Sequence, residues 1–154
     1  MIFVSKKSNT PNRKAYAGSL EELQIIHKQL FVGVYDFAGE IRSANLSKGN
    51  FRFLPVIYLK EALNKIESMP DHTFDEIVAK FIEMNLAHPF ADGNNRALRL
   101  WLDRQLRERI HRVIDWKKIN RRIYLQAPQR SPVNNLELRT LLQHALTAPG
   151  GNVS

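Results

Sequence analysis

The chain has 154 residues, 44% hydrophobic and 25% charged, with a formal net charge of +8, figures that fit one globular domain and exclude a disordered or fibrous chain. It contains no cysteine, which excludes disulfides and thiolate metal sites, and no apolar run approaches the roughly 18 residues of a membrane span. The positive charge suits an anionic partner, but Arg and Lys are spread along the chain without the aromatic interleaving of an RNA-reading surface, so direct nucleic-acid binding is not indicated.

The chain is expected to form a single domain over 1–154, with its core at about 19–147 and loosely held ends at 1–15 and 148–154. Met1 to Val4 is too short an apolar start for a signal peptide, and Ser5 to Arg13 is polar and basic. A cytoplasmic protein is expected. From Ser19 to Tyr35, Leu20, Leu23, Ile26, Leu30 and Val34 recur three or four apart, the period of one helix face, with Ser19 as N-cap and Glu21 and Glu22 in the first turn. The stretch from Gly39 to Pro55 has no helical period, and Gly49-Asn50 followed by Phe51-Arg52-Phe53 suggests a hairpin or extended flap. Ile57 to Met69 is helical, with Leu59, Leu63 and Ile66 on one face and Pro70 as the stop.

Thr73-Phe-Asp-Glu76 is a capping box that opens a helix through Ile77, Phe81, Met84 and Leu86. Pro89 disfavours helical geometry at His88. A polar loop follows, and a new helix starts near Asn94 or Asn95 and runs to about Arg109. Asp115 is expected to cap another, carrying Ile119, Ile123 and Tyr124. After the break at Ser131-Pro132 a last helix holds Leu136, Leu138, Leu141, Leu142 and Leu146. The fold class is therefore all-α, about six helices with one extended excursion.

The segment that carries chemistry is His88-Pro-Phe-Ala-Asp-Gly-Asn-Asn-Arg-Ala-Leu-Arg99, at the start of a helix. Free backbone N–H groups and the positive dipole end suit phosphate there. Gly93 permits positive φ and close approach, Asn94 and Asn95 tolerate similar geometry, and successive N–H groups form an anion-binding nest. Arg96 and Arg99, three apart, project from one side of the helix, and paired guanidinium forks suit a polyphosphate. Asp92 offers the single carboxylate with which proteins commonly hold Mg²⁺ beside phosphates and water. His88 offers a base with an ordinary pKa of about 6.5. Each residue alone has an ordinary explanation: a helix-ending His, a turn glycine, a solvated arginine face, a dipole-favoured Asp. Those explanations would all have to hold at once within twelve positions.

This segment closely resembles the signature of the Fic family, His-Pro-Phe-x-(Asp/Glu)-Gly-Asn-Gly-Arg-x-x-Arg. The resemblance extends from about Leu23 to Leu146, through Ile26-His27, the run from Tyr35 to Arg42, the run from Ser47 to Phe53 and the run from Ser131 to Arg139, and is to the small single-domain class III bacterial Fic proteins. It implies a compact helical domain with a β-hairpin flap that transfers AMP from ATP to a Ser, Thr or Tyr hydroxyl of a target protein. His88 matches the general base and Asp92 the Mg²⁺ ligand. Gly93, Asn94 and the following backbone, with Asn95, match the cradle of the α- and β-phosphates. Arg96 matches the residue on the β- and γ-phosphates, Arg99 the one facing the γ-phosphate, and Phe90 the buried anchor of the loop. The flap, Ser47, Lys48, Gly49, Asn50, Phe51, Arg52 and Phe53, would align an extended target segment by strand addition. By analogy with small bacterial Fic toxins, the targets would be the ATPase subunits of gyrase and topoisomerase IV.

Two departures keep alternatives open. Asn95 stands where the family usually has Gly, and the related Doc toxins, which phosphorylate their target, carry Lys there. If the position needed positive φ, Asn would cost about 1 kcal/mol. Transfer of another phosphate-containing group, or a catalytically silent nucleotide- or partner-binding module, is therefore carried beside AMP transfer. Many relatives are inhibited by a helix bearing (Ser/Thr)-x-x-x-Glu, whose Glu pairs with the second motif arginine, here Arg99. No Ser or Thr of this chain has Glu four residues on. A helix beyond this sequence, an antitoxin that supplies it, or absence of this control would each account for that.

Overall fold

A computed structural model describes residues 15–120 and 132–150, with the side chains of 132–135 not described. The expectations for the N-terminal segment to Arg13, for Ile123, Tyr124 and Ser131, and for the tail from Gly151 lie outside those residues. In chain order the elements are α1 (Leu20–Phe31), β1 (Ser47–Lys48), β2 (Phe51–Arg52), α2 (Leu59–Glu67), α3 (Phe74–Ala87), α4 (Asn94–Ile110), β3 (Val113–Ile114), α5 (Pro132–His144) and β4 (Leu146–Thr147), with short 3-10 turns at Val56–Tyr58 and Trp116–Lys118.

The architecture is all-α with two small antiparallel strand pairs, β1 with β2 and β3 with β4. Helix α3 packs on α4, α2 on α3, α1 across α4, and α5 against α3. The apolar faces read from the sequence meet at the centre, where Leu23, Leu59, Leu63, Ile77, Phe81, Met84, Phe90, Leu98, Trp101, Leu138 and Leu142 are all buried. Trp101 is fully buried, and its indole N–H donates to the Ser19 carbonyl at 3.0 Å, tying the start of α1 to the middle of α4. Lys80 is also buried, with its ammonium held by Asp71 at 3.0 Å, and Arg109 reaches the other carboxylate oxygen of Asp71.

Local chemistry explains the helix ends. The Ser19 hydroxyl accepts from the Glu22 N–H. The capping box at Thr73 is closed in both directions, Glu76 N–H to the Thr73 hydroxyl and the Thr73 N–H to the Glu76 carboxylate. Helix α1 stops at Phe31, short of the expected Tyr35, because Gly33 takes φ 84° and turns the chain out, leaving Val34 exposed. Asp115 does cap, through Lys117 N–H, but within the described residues it opens only the 3-10 turn. Leu146 is not in the last helix. It pairs in β4 with Ile114 of β3, and its partly buried side chain packs on the core from a strand. An apolar residue four beyond Leu142 satisfies helical spacing either way.

The excursion is a true two-residue hairpin. Ser47 pairs with Arg52 and Lys48 with Phe51, and Gly49 at the first turn position has φ 60°, the geometry that suits the twist of paired strands. Its base is fastened to the core by Arg42, which is 6% exposed. The Arg42 guanidinium donates to the carbonyls of His88 (2.6 Å), Ala87 (3.0 Å), Leu54 (2.6 Å) and Ala44 (2.7 Å), and its own N–H donates to Pro89 O at 2.8 Å. Two of those carbonyls are at the end of α3, where helical acceptors run out of partners. Replacing Arg42 with Met keeps the stem but orphans several partly buried carbonyls at once. The variant is expected to lose about 3 kcal/mol in urea titration, since each orphaned group costs roughly 1–3 kcal/mol; a loss below about 0.5 kcal/mol would mean that the clamp is dispensable.

Candidate active site

The segment from His88 to Gly93 bridges the end of α3 and the start of α4. Pro89 excludes a helical conformation at His88, which takes φ 53° and ψ 70°, a left-handed geometry uncommon outside glycine. The turn redirects the imidazole into a cleft of about 290 Å³, whose walls include Lys48, Phe53, His88, Asp92, Asn95 and Arg96. Ser47, Gly93 and Asn94 also border it. The flap thus forms one wall and the first turn of α4 the other.

The His88 ring is held by a hydrogen bond and a ring stack. Its Nδ1 lies 2.9 Å from the Asn85 carbonyl, and because a carbonyl only accepts, Nδ1 carries the proton and Nε2 is left as the basic nitrogen. Its ring stacks on Phe53, centroids 3.8 Å apart and planes 12° off parallel. Burial pushes its pKa below the ordinary imidazole range, opposed by the Asn85 bond and reinforced by Arg42 and Lys48, while Asp92 pulls the other way.

Asp92 is exposed, and its two carboxylate oxygens point to different neighbours. Oδ1 accepts from Gly93 N–H at 2.8 Å, and Oδ2 accepts from the Tyr35 hydroxyl at 2.9 Å. Each oxygen keeps a further lone pair. Among the described residues no three His, Cys, Asp or Glu side chains gather to hold a metal. The donor set therefore fits Mg²⁺ held by one carboxylate with phosphates and water, and does not fit an all-protein cage.

Beneath the loop sits His27, fully buried on α1. Its Nδ1 accepts from Gly39 N–H at 2.9 Å, its Nε2–H donates to the Asp92 carbonyl at 2.8 Å, and its ring stacks on Phe90 at 3.9 Å. Burial lowers its pKa, which keeps this two-way neutral tautomer. Phe90 is the buried anchor expected of it. Asn94 behaves differently from an open cradle residue: its side chain is buried and closes a two-way pair with the Phe90 backbone, at 2.9 and 2.8 Å. Asn95 lies within α4 and has no positive φ, so the strain weighed for that position does not arise. Within the motif positive φ falls on His88 and Gly93 alone.

Arg96 is exposed beside the cleft, with its guanidinium 5.4 Å from the Phe31 ring centroid. Arg99 is not among the residues bordering the cleft. It lies one turn further along α4, 4.7 Å over the Trp116 ring. On the flap, Gly49 and Asn50 form the exposed tip and Arg52 is exposed, while Phe51 is half-buried and meets Phe53 edge-on at 4.9 Å. Three supports were not singled out as site residues from sequence, namely His27, Tyr35 and Arg42. They sit 46 to 65 positions from the groups they hold, and the only signal for them was that each stands in a stretch carrying the family resemblance.

Gly93, Asp92 and Arg96 at the start of α4 thus border one cleft with His88 and the flap. The model of the Fic/DOC family matches residues 18–106, and the chain belongs to that family. It is 28% identical over 134 residues to the protein adenylyltransferase VbhT of Bartonella schoenbuchensis, covering 80% of this chain and 28% of that one. It is 27% identical over 140 residues to a probable protein adenylyltransferase Fic of Salmonella typhimurium, covering 83% of this chain and 70% of that protein. The chain thus spans under a third of VbhT. Among solved structures, the effector protein BepC of Bartonella tribocorum with bound AMPPNP superposes with a TM-score of 0.70 at 17% identity, covering 88% of this chain and 78% of that one.

Gly93 is required on two counts. Its φ is 78°, and an added Cβ would lie 2.5 Å from Cε2 of Phe31 and 3.2 Å from Nε2 of His27. Gly93→Ala is expected to destabilise the protein by at least about 2 kcal/mol in urea titration, since left-handed backbone alone costs a residue with a Cβ about 1–2 kcal/mol. An unchanged midpoint would mean that the loop relaxes freely.

Proposed function

We propose that this protein is an adenylyltransferase that moves AMP from ATP to a hydroxyl side chain of another protein. The observation that carries the reading is His88: with Nδ1 committed to the Asn85 carbonyl, Nε2 is the one basic nitrogen presented beside the start of α4. The names of the relatives support the reaction class.

The target hydroxyl attacks the α-phosphorus, an O–P bond forms, the bond to the bridging oxygen breaks, and pyrophosphate leaves. His88 Nε2 takes the hydroxyl proton. The backbone N–H groups of the first turn of α4 and the Arg96 guanidinium bind phosphate oxygens and hold the α-phosphorus in line. Asp92, steadied by Tyr35 and Gly93, would hold Mg²⁺, which when bound neutralises charge on the phosphates. Arg99 would meet the terminal phosphate, and it is also the residue on which an inhibitory Glu from a partner antitoxin or a further helix would act. An extended target segment would add to the flap by main-chain pairing. The ATPase subunits of gyrase and topoisomerase IV are the first targets to try, on resemblance to small toxins, and the cytoplasm is the compartment that supplies ATP, Mg²⁺ and such targets.

His88→Ala is expected to bind ATP about as well as the wild type and to lose transfer, since a positioned base contributes roughly 10²–10⁴-fold. The check is incubation in a bacterial lysate with Mg²⁺ and ATP labelled separately at the α- and γ-phosphate. A His88-dependent band labelled from α alone supports AMP transfer. A band from γ alone assigns phosphate transfer instead, and no His88-dependent label from either sinks the transferase reading in favour of a binding module.

The pH dependence follows from the same residue. The neutral imidazole is the active form, and burial lowers the His88 pKa from 6.5. The acid limb of the activity profile should therefore be centred below pH 6.5. A kcat/KM profile whose acid limb is centred above pH 6.5 would contradict this environment for the base.

A further inference from the structure

We infer that Trp116 is a positioning residue for Arg99, holding its guanidinium by stacking so that it meets the terminal phosphate of a nucleoside triphosphate in a preset orientation. The inference rests on the reading of Arg99 as a phosphate ligand. Trp116 stands in the 3-10 turn after β3, 17 residues beyond Arg99 in sequence, and the Arg99 guanidinium lies 4.7 Å over its ring. The ring is itself anchored. Its indole N–H donates to Asp103 Oδ2 at 2.7 Å, and Asp103 Oδ1 accepts from Ile114 N–H at 2.9 Å. Asp103 is on α4, one turn after Arg99, so helix and turn brace the same side chain from two directions. The neighbouring charged groups on that side are Asp103, Arg104, Arg107, Asp115 and Lys117.

Stacking occupies the face of a guanidinium and leaves its N–H donors radiating from the edge. Among the described residues those donors make no hydrogen bond. An anchored ring therefore restricts a long, rotamer-rich side chain without consuming the groups that bind phosphate, which reduces the entropy lost on binding. Arg96 has a similar but longer contact, 5.4 Å over Phe31.

The test compares Mg²⁺-dependent affinities for ATP and AMP by calorimetry in the wild type, Trp116→Ala, Trp116→Phe, Arg99→Ala and the Trp116→Ala/Arg99→Ala double variant. Melting temperatures are taken alongside. Trp116→Ala should weaken ATP about 3- to 10-fold, the range a cation–π contact supports, and leave AMP within about 2-fold. Trp116→Phe, which keeps the ring face, should recover most of the ATP affinity. In the Arg99→Ala background the second substitution should add nothing, because the two act as one unit. Wild-type or tighter ATP binding in Trp116→Ala, equal losses for ATP and AMP, or full additivity would each overturn the positioning role. If Arg99→Ala itself left ATP affinity unchanged, the reading of Arg99 as a phosphate ligand would fall, and the inference with it.

Discussion

The position of the candidate base depends on how the carbonyl end of α3 is satisfied. A helix terminus leaves acceptors without donors and a partial negative charge. Pro89 prevents the helix from continuing and offers no N–H of its own. Arg42, 46 residues away from His88, resolves both problems, donating to the carbonyls of Ala87 and His88 at the helix end and to those of Leu54 and Ala44 at the base of the flap. The same cation therefore sets the end of α3, the left-handed turn at His88 and the base of the flap. Without it, neither the imidazole nor the wall opposite it has a fixed place.

The cleft is then a junction of two helix ends of opposite character. The negative end of α3 is covered by Arg42, and the positive end of α4 opens toward the cleft, with Arg96 and Lys48 nearby and Asp92 as the local anion. His27 holds the floor as a neutral imidazole, donating to Asp92 and accepting from Gly39. Burial depresses the pKa of both His27 and His88, but with different consequences. His27 has both nitrogens occupied and serves as a fixed brace. His88 has Nδ1 occupied by the Asn85 carbonyl, which leaves Nε2 as the basic nitrogen.

Asn94 and Asn95, adjacent and chemically identical, are used in opposite ways. Asn94 turns inward and staples the loop to itself through Phe90. Asn95 follows in the helix and borders the cleft, where its side chain rather than its backbone is what departs from the family pattern. The departure therefore concerns what can fit in the cleft, and not backbone strain.

Local rules made much of this legible from sequence. The faces of α1 to α4, the caps at Ser19 and Thr73, the Gly49-Asn50 turn and the break at Pro89 all depend on residues within a few positions of one another. The motif from His88 to Arg99 was legible for the same reason, since a loop and a helix start are contiguous. Local spacing was silent or ambiguous wherever a partner came from far along the chain. It could not tell that Leu146 joins β3 rather than extending α5, because a residue four beyond Leu142 fits both. Nor could it assign roles to His27, Tyr35, Arg42 and Trp116, whose partners in the segment from His88 to Arg99 lie 17 to 65 positions away. The sequence by itself determined the helical class, the family and the candidate site segment, because periodicity and a contiguous motif are properties of neighbours. Only the tertiary structure decided which nitrogen of His88 is basic and what braces each ligand of the cleft, because hydrogen bonds and ring stacks depend on distances in space.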